Sequence, residues 1–187
     1  MRSMFIQNKQ FMMVTHKNET PVNTYLESIK NAIISGITCI QLREKFRSFD
    51  EIKSFAQSLQ SLLKDYSIPL IINDSIEIAN IIAADGVHLG QSDGCPKHAR
   101  AVLGEEKIIG LSVNTLEEID IANTQPIDYI GVGSVFKSQN KMDAQTIWEI
   151  HGLKRAIKHS KHPIIAIGGI DLFNLHSIIQ TNVHGIA

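Results

Sequence analysis

The sequence predicts a (β/α)₈ barrel, and three observations predict it. Short apolar runs recur along the chain, and some are continuous rather than alternating (Leu70 to Ile72, Ile164 to Ile167), as parallel strands covered on both faces require. Helical patterns lie between these runs. No Pro/Ser-rich linker interrupts the rhythm, so residues 1–187 read as a single domain. An open doubly wound sheet shares the alternation, but seven complete βα units and part of an eighth favour a TIM barrel.

The expected strands are Phe11–Thr15, Cys39–Arg43, Pro69–Asn73, Gly86–Gly90, Lys107–Ser112, Asp128–Val135 and Pro163–Ile170, with Gly185-Ile186-Ala187 beginning an eighth. Between the first two, Tyr25, Ile29, Ala32 and Ile33 share one helical face. Between the next two, so do Ile52, Phe55, Leu59, Leu62 and Leu63. Ser48 with Glu51 has capping-box spacing, as do Asn114 with Glu117 and Thr115 with Glu118. After the sixth strand comes a long polar segment, Phe136 to Thr146; loops of that length in compact domains are mostly functional or disordered, and its lysines, hydroxyls and amides favour function. The chain stops within the expected eighth strand, so that strand and the helix after it read as cut short. Without a completed strand, the first and seventh would be poorly bridged.

Composition narrows the function classes. With 18 Lys+Arg against 19 Asp+Glu, no global basic field exists to hold a nucleic acid. The apolar run near the N-terminus, Phe11 to Val14, is too short for a signal peptide or a membrane span, so a cytoplasmic enzyme without a membrane partner is expected. Cys39 and Cys95 form no CxxC pattern and read as reduced and structural. His159 and His162 read as helix-terminus residues, and His88 as a satisfied core residue or one that orients Asp93. A homo-oligomer is carried as an open reading.

In a barrel, the site is built from the carboxyl ends of the strands and the loops that follow. There stand Gln41-Leu42-Arg43-Glu44-Lys45, Asn73-Asp74, Gln91-Ser92-Asp93, Ser112, Ser138-Gln139-Asn140-Lys141 and Gly168-Gly169. Singly, each has a plainer reading. Arg43 and Glu44 suit a rim ion pair, Asp74 a helix cap, Asp93 a turn, and Gly168-Gly169 a turn with positive φ. Gly131-Val132-Gly133 lacks the third glycine and the immediate helix of a dinucleotide fingerprint. Together they point further. Arg43, Lys45 and Lys141 can surround a polyanion, the arginine as a planar fork and the lysines as mobile point charges. Two aspartates from adjacent strand ends suit Mg²⁺, which prefers oxygen ligands and takes the rest from water and substrate phosphate. Glycine-rich turns after the last strands are this fold's usual phosphate cradle.

These stretches give the chain its resemblance to the thiamine-phosphate synthase family. They are Gln41 to Lys45, Ile72-Asn73-Asp74, Asp85 to Gln91 with Asp93, Gly110-Leu111-Ser112, Asp128 to Gly133, Lys141 and Ala166 to Ile170. The resemblance implies that Gln41, Leu42, Arg43, Glu44, Lys45, Asn73, Ser112 and Lys141 bind a hydroxymethylpyrimidine diphosphate, with Arg43, Lys45, Ser112 and Lys141 acting on the reaction. It implies that Asp74 and Asp93 hold Mg²⁺, and that Ser138, Gln139, Asn140 and Gly169 face a thiazole phosphate. The implied chemistry is a dissociative alkyl transfer, in which diphosphate leaves and the thiazole nitrogen captures the pyrimidine-methyl cation. Three positions depart from the family's usual pattern: Ser75 where arginine is common, Ser134 where proline is common, and Ser138-Gln139-Asn140-Lys141 in place of Thr-x-Thr-Lys.

Two other readings are carried. A thiazole tautomerase shares the barrel and the phosphate end, but has no need of Arg43, Lys45, Asp74, Asp93 and Lys141 together. A non-catalytic binding or regulatory protein of the thiamine pathway fits the short C-terminus, but not a complete diphosphate site.

Overall fold

The computed structural model describes residues 1–44, 47–137 and 146–187. A six-residue helix, α1 (Arg2–Gln7), precedes β1 (Gln10–Val14), and β/α units follow: α2 (Val22–Ile34), β2 (Cys39–Leu42), α3 (Phe49–Lys64), β3 (Leu70–Asn73), α4 (Ile76–Ile81), β4 (Gly86–Leu89), α5 (Pro96–Leu103), β5 (Ile108–Val113), α6 (Leu116–Ala122), β6 (Tyr129–Val132), α7 (Glu149–His159), β7 (Ile164–Ala166), α8 (Leu175–Ile179) and β8 (Gly185–Ile186). The strands are parallel and close into a barrel in chain order.

Closure depends on the two-residue strand β8. β8 pairs with both neighbours: Gly185 and Ile186 stand opposite Gln10 and Phe11 on one side, and opposite Ile165 and Ala166 on the other. Gln10 N–H to His184 O (3.1 Å) and Ala187 N–H to Ala166 O (2.9 Å) extend both ladders. The expected gap between the first and seventh strands is therefore absent, because two residues with two flanking hydrogen bonds suffice to join strands already brought close by the curvature of the sheet.

The strand pleat sorts side chains into two cores. Ile40, Leu42, Leu70, Ile72, Val87 and Leu89 pack outward against the helices, with Ile29, Ile33, Phe55, Leu59 and Leu63 from α2 and α3. Residues of the opposite phase, Met12, Cys39, Ile71, Ile108, Tyr129 and Ile165, fill the lower barrel interior. Both cysteines are free, Cys39 buried and Cys95 exposed.

Local signals fixed several ends. Ser48 caps α3 as a full box: its side chain accepts from Glu51 N–H, and the Glu51 carboxylate accepts from Ser48 N–H (2.8 Å). At α6 the cap is Thr115, accepting from Glu118 N–H (3.2 Å), while Glu118 reaches back to Asn114 N–H (2.6 Å); the alternative pairing of Asn114 with Glu117 is not the one used.

Helix α1 has no such signal and is too short to be stable alone. Tertiary contacts hold it. Phe5 (3% exposed) enters the barrel's lower mouth against Tyr129, ring centroids 5.2 Å apart. Arg2 Nε lies 2.7 Å from Asp128 Oδ1, and Gln10 Nε2 donates to Phe5 O and Asn8 O at the helix end. Asp128 is also held by Arg100 Nη2 (2.8 Å) from α5 and by Ile109 N–H (2.8 Å), which ties α1, α5, β5 and β6 together at the base.

Candidate active site at the carboxyl ends of the strands

The same pleat that puts Cys39, Ile71 and Ile108 inside the barrel places Gln41, Asn73 and Ser112 inward near its upper mouth, two or four residues further on. His88 joins them from β4, opposite Asn73 on one side and Gly110 on the other. The upper interior is thus a polar layer set on an apolar one.

A hydrogen-bonded chain runs through this layer. His88 Nδ1 lies 2.9 Å from the Tyr129 hydroxyl, and His88 Nε2 lies 2.8 Å from Ser112 Oγ. Beside them, Gln41 Nε2 donates to Met12 Sδ (3.6 Å). Gly110 makes room for the chain: a Cβ there would sit 2.2 Å from Tyr129 Cζ and 2.5 Å from His88 Nδ1. Burial disfavours the charged ring and lowers the His88 pKa to about 4, against a smaller upward pull from the Asp93 charge. Burial likewise raises the Tyr129 and Cys39 pKa values, so phenol and thiol stay protonated.

The neutral His88 links site geometry to stability. Because the folded ring binds its proton more weakly than an ordinary histidine (6.5), its contribution is complete above about pH 6.5 and is lost as pH falls toward 4. Melting temperature should drop across that window, by the equivalent of about 3 kcal/mol at most. In His88→Gln the drop should be smaller; an equal drop would contradict a buried neutral ring.

Other expected site residues are placed as follows. Arg43 is partly buried, its N–H donating to Thr15 Oγ1 (3.0 Å). Glu44 (8% exposed) makes no rim ion pair among the described residues. Its Oε1 accepts from Thr15 Oγ1 (2.9 Å) and from Lys17 N–H (3.0 Å), joining the loops after β1 and β2. Leu42 lies in the outer core. Asp74, with φ of +67°, follows β3, and its N–H donates to His88 O (2.8 Å), which pins the end of β3 to β4. Asp93 closes the turn after β4 by accepting from Gly90 N–H (2.8 Å), and Gln91 Nε2 donates to Ser112 O (2.6 Å). Lys45, Ser138, Gln139, Asn140 and Lys141 lie outside the described residues.

Gly168 and Gly169, with φ of +98° and +68°, turn the chain after β7. A Cβ on Gly169 would lie 2.6 Å from Lys137 O, and Phe136 N–H donates to Gly168 O (2.9 Å). The turn is thereby packed on the residues that lead into position 138. Asn174 Nδ2 holds the Gly169 carbonyl from the far side (2.8 Å).

The profile of the thiamine monophosphate synthase family matches residues 11–187. The chain belongs to this family. It is 44% identical over 178 residues to the thiamine-phosphate synthase of Chlamydia abortus, covering 95% of this chain and 84% of that protein. It is 42% identical over 159 residues to the thiamine-phosphate synthase of Vibrio campbellii, covering 85% and 78%. Among solved structures, thiamine phosphate pyrophosphorylase from Pyrococcus furiosus superposes with a TM-score of 0.85 at 32% identity, covering 98% of this chain and 86% of that one. The tryptophan synthase α subunit of Legionella pneumophila shares the fold alone, at 13% identity and a TM-score of 0.69. These relatives make the chain an enzyme of thiamine biosynthesis and do not favour the tautomerase or non-catalytic readings. Among the described residues no helix is long and apolar enough to cross a membrane.

Proposed function

We propose that the chain joins 4-amino-2-methyl-5-hydroxymethylpyrimidine diphosphate to 4-methyl-5-(2-hydroxyethyl)thiazole phosphate, giving thiamine phosphate and diphosphate. The observation that carries this reading is the polar layer of Gln41, Asn73, His88 and Ser112 at the strand ends, with Arg43, Asp74 and Asp93 following those strands, in a chain of this family. A cytoplasmic location goes with it, since both substrates are charged phosphates.

The bond between the pyrimidine methylene carbon and the diphosphate oxygen breaks with its electron pair going to diphosphate. The thiazole nitrogen lone pair then forms the new C–N bond. Arg43, Lys45 and Lys141 bind the diphosphate and stabilise the charge it gains, while Asn73 and Ser112 orient the pyrimidine half against it. Gln41, Leu42 and Glu44 complete the first-substrate wall, Leu42 through its backbone and Glu44 by holding the loop that carries Arg43. Ser138, Gln139, Asn140 and Gly169 receive the thiazole phosphate, Gly169 through a turn already fixed by Asn174.

The donor types suit Mg²⁺: the carboxylates Asp74 and Asp93 follow the neighbouring strands β3 and β4, and Mg²⁺ prefers oxygen ligands, with water and substrate oxygens completing its shell. Bound by Asp74 and Asp93, Mg²⁺ would neutralise charge on the departing diphosphate.

Quenched-flow measurement of diphosphate release tests the assignment. Lys141→Ala should slow release by about 10²–10³-fold, the range for loss of one preorganised charge-stabilising contact. Asp93→Asn should raise the Mg²⁺ concentration for half-maximal rate. Undiminished turnover in the first, or unchanged metal dependence in the second, would remove that residue from its role.

A further inference from the structure

No residue following β1 stands among the site residues, yet the first of them is bonded to the loop that carries Arg43. Thr15 is fully buried. Its N–H donates to Gln41 O (2.9 Å), which continues the β1–β2 ladder by one bond. In a regular parallel ladder the next bond would run from Arg43 N–H to the Thr15 carbonyl. Here Arg43 N–H goes to the Thr15 side-chain oxygen instead (3.0 Å). The same hydroxyl donates to Glu44 Oε1 (2.9 Å), since a carboxylate has no proton to give. One side chain thus holds two consecutive residues beyond the end of β2.

The pleat says what that hold achieves. Along β2, Cys39 and Gln41 take the inward phase, and Ile40 and Leu42 the outward one. Thr15 shares the outward phase of Met13 on β1. The strand ends at Leu42, but the bonds to Thr15 keep the next two residues in the same alternation, with Glu44 outward beside Thr15 and Arg43 inward toward the mouth. We propose that Thr15 is a positioning residue whose hydroxyl carries the pleat of β2 past Leu42 and so presents the Arg43 guanidinium to the diphosphate. The inference rests on the synthase reading for the identity of that ligand. The clamp is anchored from a second side, because Glu44 Oε1 also accepts from Lys17 N–H (3.0 Å), and His16 N–H between them donates to the Tyr25 hydroxyl of α2 (2.9 Å). Valine at position 15 would keep the shape and remove both bonds, leaving the chain after Leu42 free to depart from the strand path. Threonine also has fewer side-chain rotamers than serine, which fixes the hydroxyl between its two partners.

The test uses the full chain and inorganic diphosphate with Mg²⁺ as the probe. Calorimetric titration gives the diphosphate affinity of the wild type, Thr15→Val, Thr15→Ser, Arg43→Ala and the Thr15→Val/Arg43→Ala pair, and KM is measured for each substrate, with melting curves to confirm folding. Thr15→Val should weaken diphosphate binding about tenfold, the scale of one orienting hydrogen bond. KM for the pyrimidine diphosphate should rise in step, with KM for the thiazole phosphate unchanged. Thr15→Ser, which keeps the hydroxyl, should recover most of the loss. In the Arg43→Ala background, Thr15→Val should weaken binding no further. Equal weakening in both backgrounds would show that Thr15 acts apart from Arg43, and parallel rises in both KM values would show a general loosening of the barrel; either result overturns the proposal. If the valine prevents folding, Thr15→Ala removes the same two bonds and is read by the same criteria. Wild-type protein that binds diphosphate but makes no thiamine phosphate would refute the synthase reading alone, and the binding constants would still decide the role of Thr15.

Discussion

Asp128→Ala is expected to destabilise the protein by about 3–5 kcal/mol, the range for breaking a buried ion pair from one side. The Asp128 side chain is 1% exposed and Arg100's is 7%, so solvent cannot replace the lost partner. Three donors lose their acceptor together: Arg100 Nη2, Arg2 Nε and Ile109 N–H. Arg100 keeps carbonyl partners at Gly104, Lys107 and Pro126, which hold the guanidinium in place and so leave its charge buried. The effect should reach α1, because Arg2 and Phe5 are its anchors. Denaturant titration should show a reduced midpoint, and amide exchange should show residues 2–7 losing protection first. Arg2→Ala, whose side chain is 30% exposed, should cost far less. Equal losses for the two variants would contradict the assignment of the burden to the buried pair.

Gly110→Ala is the second large effect, and it falls mainly on activity. The new methyl would overlap Tyr129 Cζ and His88 Nδ1, and neither ring has room to retreat, since Tyr129 packs on Phe5 and His88 is bonded on both sides. Overpacking of this kind costs about 1–3 kcal/mol, leaving a folded protein. The rate of diphosphate release should nevertheless fall by about a hundredfold, as expected when reacting groups are displaced by roughly an ångström. A variant that melts lower but turns over normally would show that the two rings pack the barrel and do nothing for the reaction.

What was legible in the sequence was what depends on local pattern. The strands followed from continuous apolar runs, and the capping box at Ser48 from a three-residue spacing. Helix α1 was not legible, because its six residues carry no cap or amphipathic face and are held by Asp128 and Tyr129, more than a hundred positions away. The eighth strand could be seen but not its sufficiency, since that depends on how closely β1 and β7 approach.

The site divides in the same way. Strand-end placement singled out Arg43, Asn73, Asp74 and Ser112 because the fold fixes where loops emerge. It could not tell that Glu44 joins two loops, which requires knowing that Thr15 and Lys17 lie beside it. Nor could it tell that His88 bonds Ser112 and Tyr129, since the sequence left both a satisfied core residue and a partner of Asp93 open. Those contacts depend on the register of β4, β5 and β6 and on the absence of a side chain at Gly110. The signal present was a histidine and a tyrosine, both on inward phases of strands, flanking a glycine at the same level. Read together, these three would have suggested a buried pair.

The most direct test of the account is to mix the purified, folded protein with both phosphorylated substrates and Mg²⁺, and to follow thiamine phosphate and diphosphate. The two products should appear in equal amounts, and only when both substrates are present. No product from protein shown to be folded, or isomerised thiazole phosphate without diphosphate, would contradict it.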